Sequence, residues 1–464
     1  MTIGSMPLQV LLGWQHKQPP EFLTMPRSKP SRRTPEPNRD QSRQVSQRAT
    51  PGILEQRGLS ASGTLPQVRL KSTSFHPFLY RRMVASADAS AQPGDLVEVI
   101  DRDGQRFGYG LYNPRSEIVV RLLSYDEAPP DEAFWQTRLE RAVQLRRELL
   151  RLDETTNAYR VVHAEGDGLT GLVVDRFGDV LSAEIFSLGM YQRAEALLAR
   201  LSAFCGTRHT IISVDAQVHG QEGFLAESVA SGGAPRQATI TEHGTRFRVN
   251  FGDGHKTGYF CDQRDNRRQL AEFCRGKTVL DVCCYTGGFA VQAKRLGQAA
   301  EVTAVDLDEK AIALARDNAQ LNQAKIDFIH ADAFGYMRDM IANRRQYDVV
   351  ILDPPKLIRS RRELEEGTRK HFDFNRLAFQ LVRPGGLLLS CSCSGLLSEA
   401  EFLRLLYAAA RQAAPRTEEL AARRSLKPAR SVQLLAKTGA SPDHPVAANC
   451  PETEYLRAAW MRVE

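Results

Sequence analysis

Two cysteines stand two residues apart in Ser390-Cys-Ser-Cys-Ser-Gly395. A thiolate can add to carbon 6 of a cytosine ring and turn the ring into an enamine, whose carbon 5 then attacks a methyl sulfonium. Removal of the C5 proton expels the thiol again. Methylation of a nitrogen needs no such thiol, so a cysteine in the pocket separates two reaction types. The plainer reading is that both cysteines are small hydrophobes packed beneath the loop. Upstream, Val350-Ile-Leu-Asp-Pro-Pro-Lys356 ends an apolar run in an acid and two prolines. The prolines stiffen the backbone and would hold Asp353 facing a flat substrate. By itself this turn reads as a rigid loop at a strand end.

Three more acids follow strand-like runs. Val279-Leu-Asp-Val-Cys-Cys-Tyr-Thr-Gly-Gly-Phe289 reads as a strand, a glycine turn and a helix. A glycine there lets backbone approach a ligand, with Asp281, Tyr285, Thr286 and Gly287 lining it. The G-x-G-x-x-G pattern that cradles a pyrophosphate is absent, which argues against an oxidoreductase. S-adenosylmethionine has no phosphate, so a Gly-Gly loop suffices for it. Asp306, closing Val302-Thr-Ala-Val-Asp306, is placed to accept the ribose hydroxyls. Asp332, closing Phe328-Ile-His-Ala-Asp332, is placed for the adenine amino group. Each acid alone is more simply a helix cap. Three in register at successive strand ends favour the cofactor.

The elements that must position these residues alternate. Apolar runs at Thr278–Val282, Glu301–Val305, Ile326–Ile329, Tyr347–Leu352, Gly386–Ser390 and Ser431–Leu435 are strand candidates, and helical patterns separate the first five. This predicts an α/β, Rossmann-like domain with a mostly parallel sheet over residues 246–464. Ligands in such sheets lie at the carboxyl ends of the strands. Residues 131–245 read as a connecting helix and a central α/β domain, with Gly166-Asp-Gly168 as a turn. Residues 66–130 read as a small β-rich domain whose Asp103-Gly104 marks a hairpin. Residues 1–65, rich in Pro, Arg, Ser and Gln, read as a disordered tail or extension.

The net charge of +7 invites a nucleic-acid partner, but residues 1–65 carry nine Lys or Arg against four Asp or Glu. The remaining 53 basic and 51 acidic residues nearly cancel, so a binding surface there must come from local clustering. None of the eight cysteines forms a C-x-x-C pair, so no metal site is expected. No apolar run is long enough to span a bilayer, and Leu8–Trp14 lacks the flanks of a secretory signal. A cytoplasmic protein with reduced thiols is expected.

These residues resemble the RlmI-type family of bacterial large-subunit rRNA cytosine-5 methyltransferases from Val68 to the C-terminus. The most specific segment is Gly254-His-Lys-Thr-Gly-Tyr-Phe-Cys-Asp-Gln-Arg-Asp-Asn-Arg267. Tyr285-Thr-Gly-Gly-Phe289, Asp353-Pro-Pro-Lys356, Ser392-Cys-Ser-Gly395 and Asp443-His-Pro-Val446 add to it. The resemblance implies a PUA RNA-binding domain at 66–130, a large-subunit ribosomal RNA substrate and S-adenosylmethionine as cofactor. It places the nucleophile on Cys393, and it puts Gln263 and Arg264 near the cofactor under a segment closing from Lys256. Asp353 would hydrogen-bond the cytosine ring edge. A homodimer is left open. The sequence departs from the family at Cys283, Cys284 and Leu357, and in the poorly basic stretch 213–223. The alternatives are a methyltransferase for guanine or an amino nitrogen, and a noncatalytic RNA-binding assembly factor.

Overall fold

The computed structural model describes residues 52–61, 63–251, 259–413 and 430–464. Its first sheet has six strands: β1 (Gln67–Leu70), β2 (Phe78–Tyr80), β3 (Val84–Ala87), β4 (Leu96–Ile100), β5 (Arg106–Tyr112) and β6 (Ile118–Ser124). Their order is β2-β6-β5-β4-β1-β3. The expected hairpin joins β4 to β5, where Gly104 takes a left-handed φ of +80°.

Helix α1 (Glu132–Gln144) starts where the Asp131 carboxylate accepts the Phe134 N–H, and it runs on through a π-helical turn, Leu145–Leu149. The second sheet holds β7 (Ala158–His163), β8 (Leu172–Phe177), β9 (Val180–Ile185), β10 (His209–Ser213) and β11 (Val229–Ala230). Helices α2 (Leu188–Tyr191), α3 (Ala194–Cys205) and α4 (Ala216–Glu222) connect them. A separate hairpin follows, β12 (Gln237–Glu242) with β13 (Thr245–Asn250).

Helix α5 (Arg264–Ala271) leads into the third unit, β14 (Thr278–Val282), α6 (Gly288–Arg295), β15 (Glu301–Asp306), α7 (Glu309–Leu321), β16 (Asp327–His330), α8 (Ala333–Ala342) and β17 (Tyr347–Leu352). It continues with α9 (Leu364–Leu381), β18 (Val382–Ser392), α10 (Glu399–Arg411), β19 (Val432–Thr438) and β20 (Arg457–Val463). The strand order is β16-β15-β14-β17-β18-β20-β19. Alternate side chains serve opposite faces. Leu280, Val282, Val350 and Leu352 pack with Met337, Phe374 and Phe402, whereas Val279, Ala304, Ile351 and Leu389 pack with Leu270, Phe289 and the hairpin's Phe247.

The sheet is mostly parallel, as the alternation predicts: β16 to β18 run parallel, and β20 adds antiparallel pairings with β18 and β19. Strand β20 and the hairpin β12–β13 have no counterpart among the predicted elements. One expectation needs correction. The tail read as disordered to Leu65 is packed in its last part: Leu59 is buried, the Trp135 indole N–H donates to its carbonyl at 2.8 Å, and Arg57 pairs with Asp95. Its composition hid one apolar anchor and one charge that find partners far along the chain. Residues 1–51, where most of the tail reading falls, lie outside the described residues.

Candidate active site

The strand order reverses between β14 and β17, which leaves a crevice at their carboxyl ends. Asp281 lies in β14, Asp306 ends β15, Asp332 follows β16 and Asp353 follows β17. The four acids converge there. Burial pushes the Cys283 thiol well up, and Asp306, Asp353, Asp281 and Asp332 push it further.

Asp281 is fully buried, and its Oδ2 accepts the Ala290 N–H at 3.0 Å, while its Oδ1 has no hydrogen-bond partner. Burial, then the charges of Asp353 and Asp306, push its carboxyl up to about 8. An unanswered buried oxygen among acids marks a site short of positive charge. S-adenosylmethionine, with its sulfonium and ammonium groups, fits that deficit. The loop beside it turns through left-handed backbone at Cys283 (φ +62°), Tyr285 (φ +48°) and Gly287 (φ +79°). A Cβ on Gly287 would lie 3.2 Å from that of Ala315. The Tyr285 ring lies 5.1 Å from Phe260, and Asn318 Nδ2 holds the Thr286 carbonyl at 3.0 Å. Asp306 accepts the N–H groups of Tyr285 (2.8 Å) and Asp308 (2.9 Å), and each carboxylate oxygen can accept a second bond. Asp332 caps α8 through one oxygen, Oδ2, which accepts from Gly335 N at 2.7 Å.

The chemical half rests on neighbouring parallel strands, with Leu352 of β17 opposite Ser390 of β18. Asp353 and Cys393 therefore leave adjacent strand ends. Cys391 is fully buried, whereas Cys393 is partly exposed. The serines beside Cys393 fasten its loop. Ser392 Oγ lies 3.3 Å from His371 Nε2, and Ser394 Oγ accepts the Ile358 N–H at 3.3 Å. Burial lowers His371 to about 4, so it is a neutral support.

Asp353 Oδ2 accepts from Gln263 Nε2 at 3.0 Å, and Gln263 Oε1 accepts from Asn266 Nδ2 at 2.6 Å. Asn266 Oδ1 in turn accepts from Thr438 Oγ1 at 2.7 Å, and Thr438 Oγ1 accepts from Trp460 Nε1 at 2.9 Å. An indole N–H can only donate, so every donor in this chain points toward Asp353.

Arg264 departs from the cofactor role expected of it. Its guanidinium makes two bonds to Asp443, at 2.9 and 3.0 Å, and it is buried. Asp443 Oδ2 also accepts Arg160 N at 2.9 Å, and Arg146 Nη2 donates to the Asp443 carbonyl at 2.6 Å. Arg267, one turn further along α5, pairs with buried Glu242 at 2.6 Å. One turn of α5 thus joins the second sheet, the hairpin and the loop after β19. Lys256 and the closing segment expected around it, up to residue 258, lie outside the described residues.

Comparison with known proteins fits this geometry. The sequence matches the family model of S-adenosylmethionine-dependent methyltransferases over residues 173–422 and that of PUA-like domains over residues 69–125. It is 36% identical over 395 residues to ribosomal RNA large subunit methyltransferase I of Erwinia tasmaniensis, covering 84% of this chain and 95% of that protein. The namesake from Pseudoalteromonas atlantica is 34% identical over 394 residues, with the same coverage. The chain belongs to the ribosomal RNA large subunit methyltransferase I family. S-adenosylmethionine is therefore its cofactor. A solved S-adenosylmethionine-dependent methyltransferase from Streptococcus mutans shares the fold at a TM-score of 0.68 and 20% identity, over 86% of this chain and all of that one.

For this methyltransferase I family member, Asp281, Tyr285, Thr286, Gly287, Asp306, Asp332, Asp353 and Gln263 come together around the crevice, and Cys393 lies on the adjoining strand end. Sequence reasoning missed the supporting residues Asn266, Thr438, Trp460 and His371. One signal for Asn266 was present: α5 reads as strongly polar, yet Arg264, Asn266 and Arg267 are all buried.

Proposed function

We propose that this protein methylates carbon 5 of a cytosine in large-subunit ribosomal RNA, with Cys393 as the nucleophile. The observation that carries the reading is the contrast between partly exposed Cys393, beside Asp353, and fully buried Cys391. The relatives' names supply the ribosomal RNA. Eight cysteines without a disulfide suit a reducing cytoplasm.

Asp281 faces the positive end of the cofactor, Asp306 accepts from the ribose hydroxyls, and Asp332 meets the adenine amino group. Tyr285, Thr286, Gly287 and Gln263 line the same crevice. Bound S-adenosylmethionine supplies the methyl sulfonium electrophile. The Cys393 thiolate bonds to C6, and the C5–C6 π pair moves into the ring to give the enamine. The enamine pair on carbon 5 then takes the methyl group, as the S–CH3 bond breaks and its electron pair stays on sulfur in a neutral thioether product. A base removes the C5 proton, the C5–C6 double bond reforms, and the S–C6 bond breaks to return the thiolate. Asp353, oriented by Gln263, hydrogen-bonds the ring edge and stabilises the adduct.

The test is bisulfite sequencing of ribosomal RNA from cells lacking this gene, complemented by wild type, Cys393→Ala or Cys391→Ala. One large-subunit cytosine should be protected by wild type and by Cys391→Ala, but not by Cys393→Ala. Protection by Cys393→Ala would remove it as nucleophile. If wild type protects no cytosine, methylation of guanine or an amino nitrogen, or a noncatalytic assembly role, takes its place.

A further inference from the structure

We propose that the cleft between the PUA-like sheet, α1 and residues 447–449 binds one nucleotide of the RNA strand away from the reaction centre. Arg138 and Arg141 would take its phosphate, and Phe75 and Tyr125 its base. This rests on the RNA reading above and adds to it a place where the strand is held.

The cleft has a volume of about 430 Å³. Arg138 and Arg141 are three residues apart on α1, so they share one face, and both line the cleft. Burial and then the neighbouring Arg141 disfavour the charge on Arg138, with Asp126 opposing. Neither arginine forms an ion pair with a described residue. Each acid of the same wall faces an arginine of its own. Glu165 accepts from Thr170 Oγ1 (2.9 Å) and Gly171 N (3.0 Å) and faces Arg121 at 3.7 Å. Asp167 takes both ends of the Arg146 guanidinium, at 2.6 and 2.9 Å. The wall therefore sets two arginines without ion pairs beside two carboxylates that each face an arginine of their own, which leaves Arg138 and Arg141 to take a phosphate. The Gly166-Asp-Gly168 turn makes room for this. At Gly168 (φ +68°) a Cβ would come within 2.8 Å of Arg138 Nη1.

The rim carries a pinned aromatic group. Phe75 is 73% exposed. Its carbonyl accepts from Tyr125 OH at 2.8 Å and from Asn449 Nδ2 at 3.1 Å. The rings of Phe75, Phe107 and Tyr125 lie 5.5 to 5.9 Å apart. A backbone held from behind leaves the Phe75 ring outward at little further entropic cost, which is what a stacking platform for a base requires. Next to it, His76, Cys450 and Glu452 bring three ligand atoms within 4.8 Å. His76 Nδ1 accepts the Phe78 N–H at 3.1 Å, so its Nε2 keeps the proton and donates to Glu452 at 3.0 Å. That trio braces the rim as hydrogen-bonded groups, since a metal on Nε2 would need its proton removed.

The experiment is fluorescence anisotropy of the full-length protein with a labelled single-stranded RNA oligonucleotide across a salt series. The double variant Arg138→Ala/Arg141→Ala should bind about tenfold more weakly, with a salt slope shallower by about 0.7. Phe75→Ala, at an exposed position, should also lose about tenfold while keeping the wild-type slope. Calorimetric binding of S-adenosylmethionine should stay unchanged in both and reports an intact fold. Unchanged RNA affinity in the double variant overturns the proposal. So does a Phe75→Ala protein that binds as wild type, because that describes a plain anion surface. The bisulfite experiment separates the two readings. If the double variant loses RNA while wild type protects no cytosine, the cleft stands and the cytosine assignment falls. If the double variant binds fully while wild type protects its cytosine, the cleft alone falls.

Discussion

Asp443 and Asp281 are both fully buried, yet their surroundings are opposite. Asp443 is answered on every side: Arg264 makes two bonds to its carboxylate, Arg160 N a third, and His444 Nδ1 lies 3.2 Å away. Burial alone would raise its carboxyl, but His444 and Arg264 outweigh that and hold it well below the usual range. Asp281 has one backbone partner, a bare oxygen and acids for neighbours, and its carboxyl rises to about 8. A completed ionic network is what holding parts together requires. An incomplete one implies that the missing charge comes from a ligand. The contrast separates frame from site with no reference to substrate.

Removing each acid should break the comparison in different ways. Asp443→Ala leaves Arg264 buried without its partner, and we expect a stability loss of about 3–5 kcal/mol by urea denaturation. A loss below about 1 kcal/mol would mean that the hub does not hold the parts together. Asp281→Asn should leave the cofactor-free protein as stable as wild type or more so, since it removes a carboxyl that is ionised in the unfolded chain and must take up a proton to be buried. Its dissociation constant for S-adenosylmethionine, read by calorimetry, should rise about tenfold or more. Unchanged affinity would make Asp281 a structural acid after all.

The two acids should also differ in sign with pH. Asp281 has a folded value of about 8 against an unfolded value near 3.9. The folded state therefore binds its proton more tightly, and the stability this group gives is complete below about pH 4 and is lost as pH rises through about 8. Asp443 is the reverse: its contribution is present above the unfolded value and fades as pH falls toward its depressed folded one. In cofactor-free protein, the stability of wild type relative to Asp281→Asn should fall between about pH 5 and about pH 8. A flat difference would show that Asp281 stays ionised.

The strand-end acids were legible because their placement is local. An apolar run fixes the strand, and the residue that ends it must lie at the sheet's carboxyl edge. Strand β20 was not, since Arg457-Ala-Ala-Trp-Met-Arg-Val463 has few β-branched residues and is buried on both faces, so alternation gives no sign of it. The β12–β13 hairpin did leave a sign: His243 and Gly244 form its turn with left-handed backbone (φ +48° and +77°), between alternating runs. Setting a domain division between residues 245 and 246 cut through the hairpin and hid it. Arg264 was misjudged for a different reason, because Asp443 lies 179 residues away and no local pattern announces such a partner. That Cys393 and Asp353 follow neighbouring strands needs only the order of β17 and β18, and the run of apolar segments already carries that.

The smallest effect should come from between the two regions, where Asn266 links the braced turn of α5 to the site. Trp460 can only donate, so Thr438 must donate its own O–H to Asn266 Oδ1, and Asn266 must present its amide N–H to Gln263 Oε1. Gln263 is then compelled to offer N–H groups, and not its oxygen, to Asp353. Asn266→Ala removes that compulsion. Gln263 can turn over and set its oxygen against the carboxylate, so a fraction of molecules hold Asp353 wrongly. We expect single-turnover methyl transfer to slow about tenfold, with S-adenosylmethionine affinity close to wild type. Thr438→Val, which deletes one link but leaves the Asn266 amide in place, should slow it less. Equal losses in rate and cofactor affinity would assign Asn266 to the frame, and a Thr438→Val protein slower than Asn266→Ala would reverse the order of the relay.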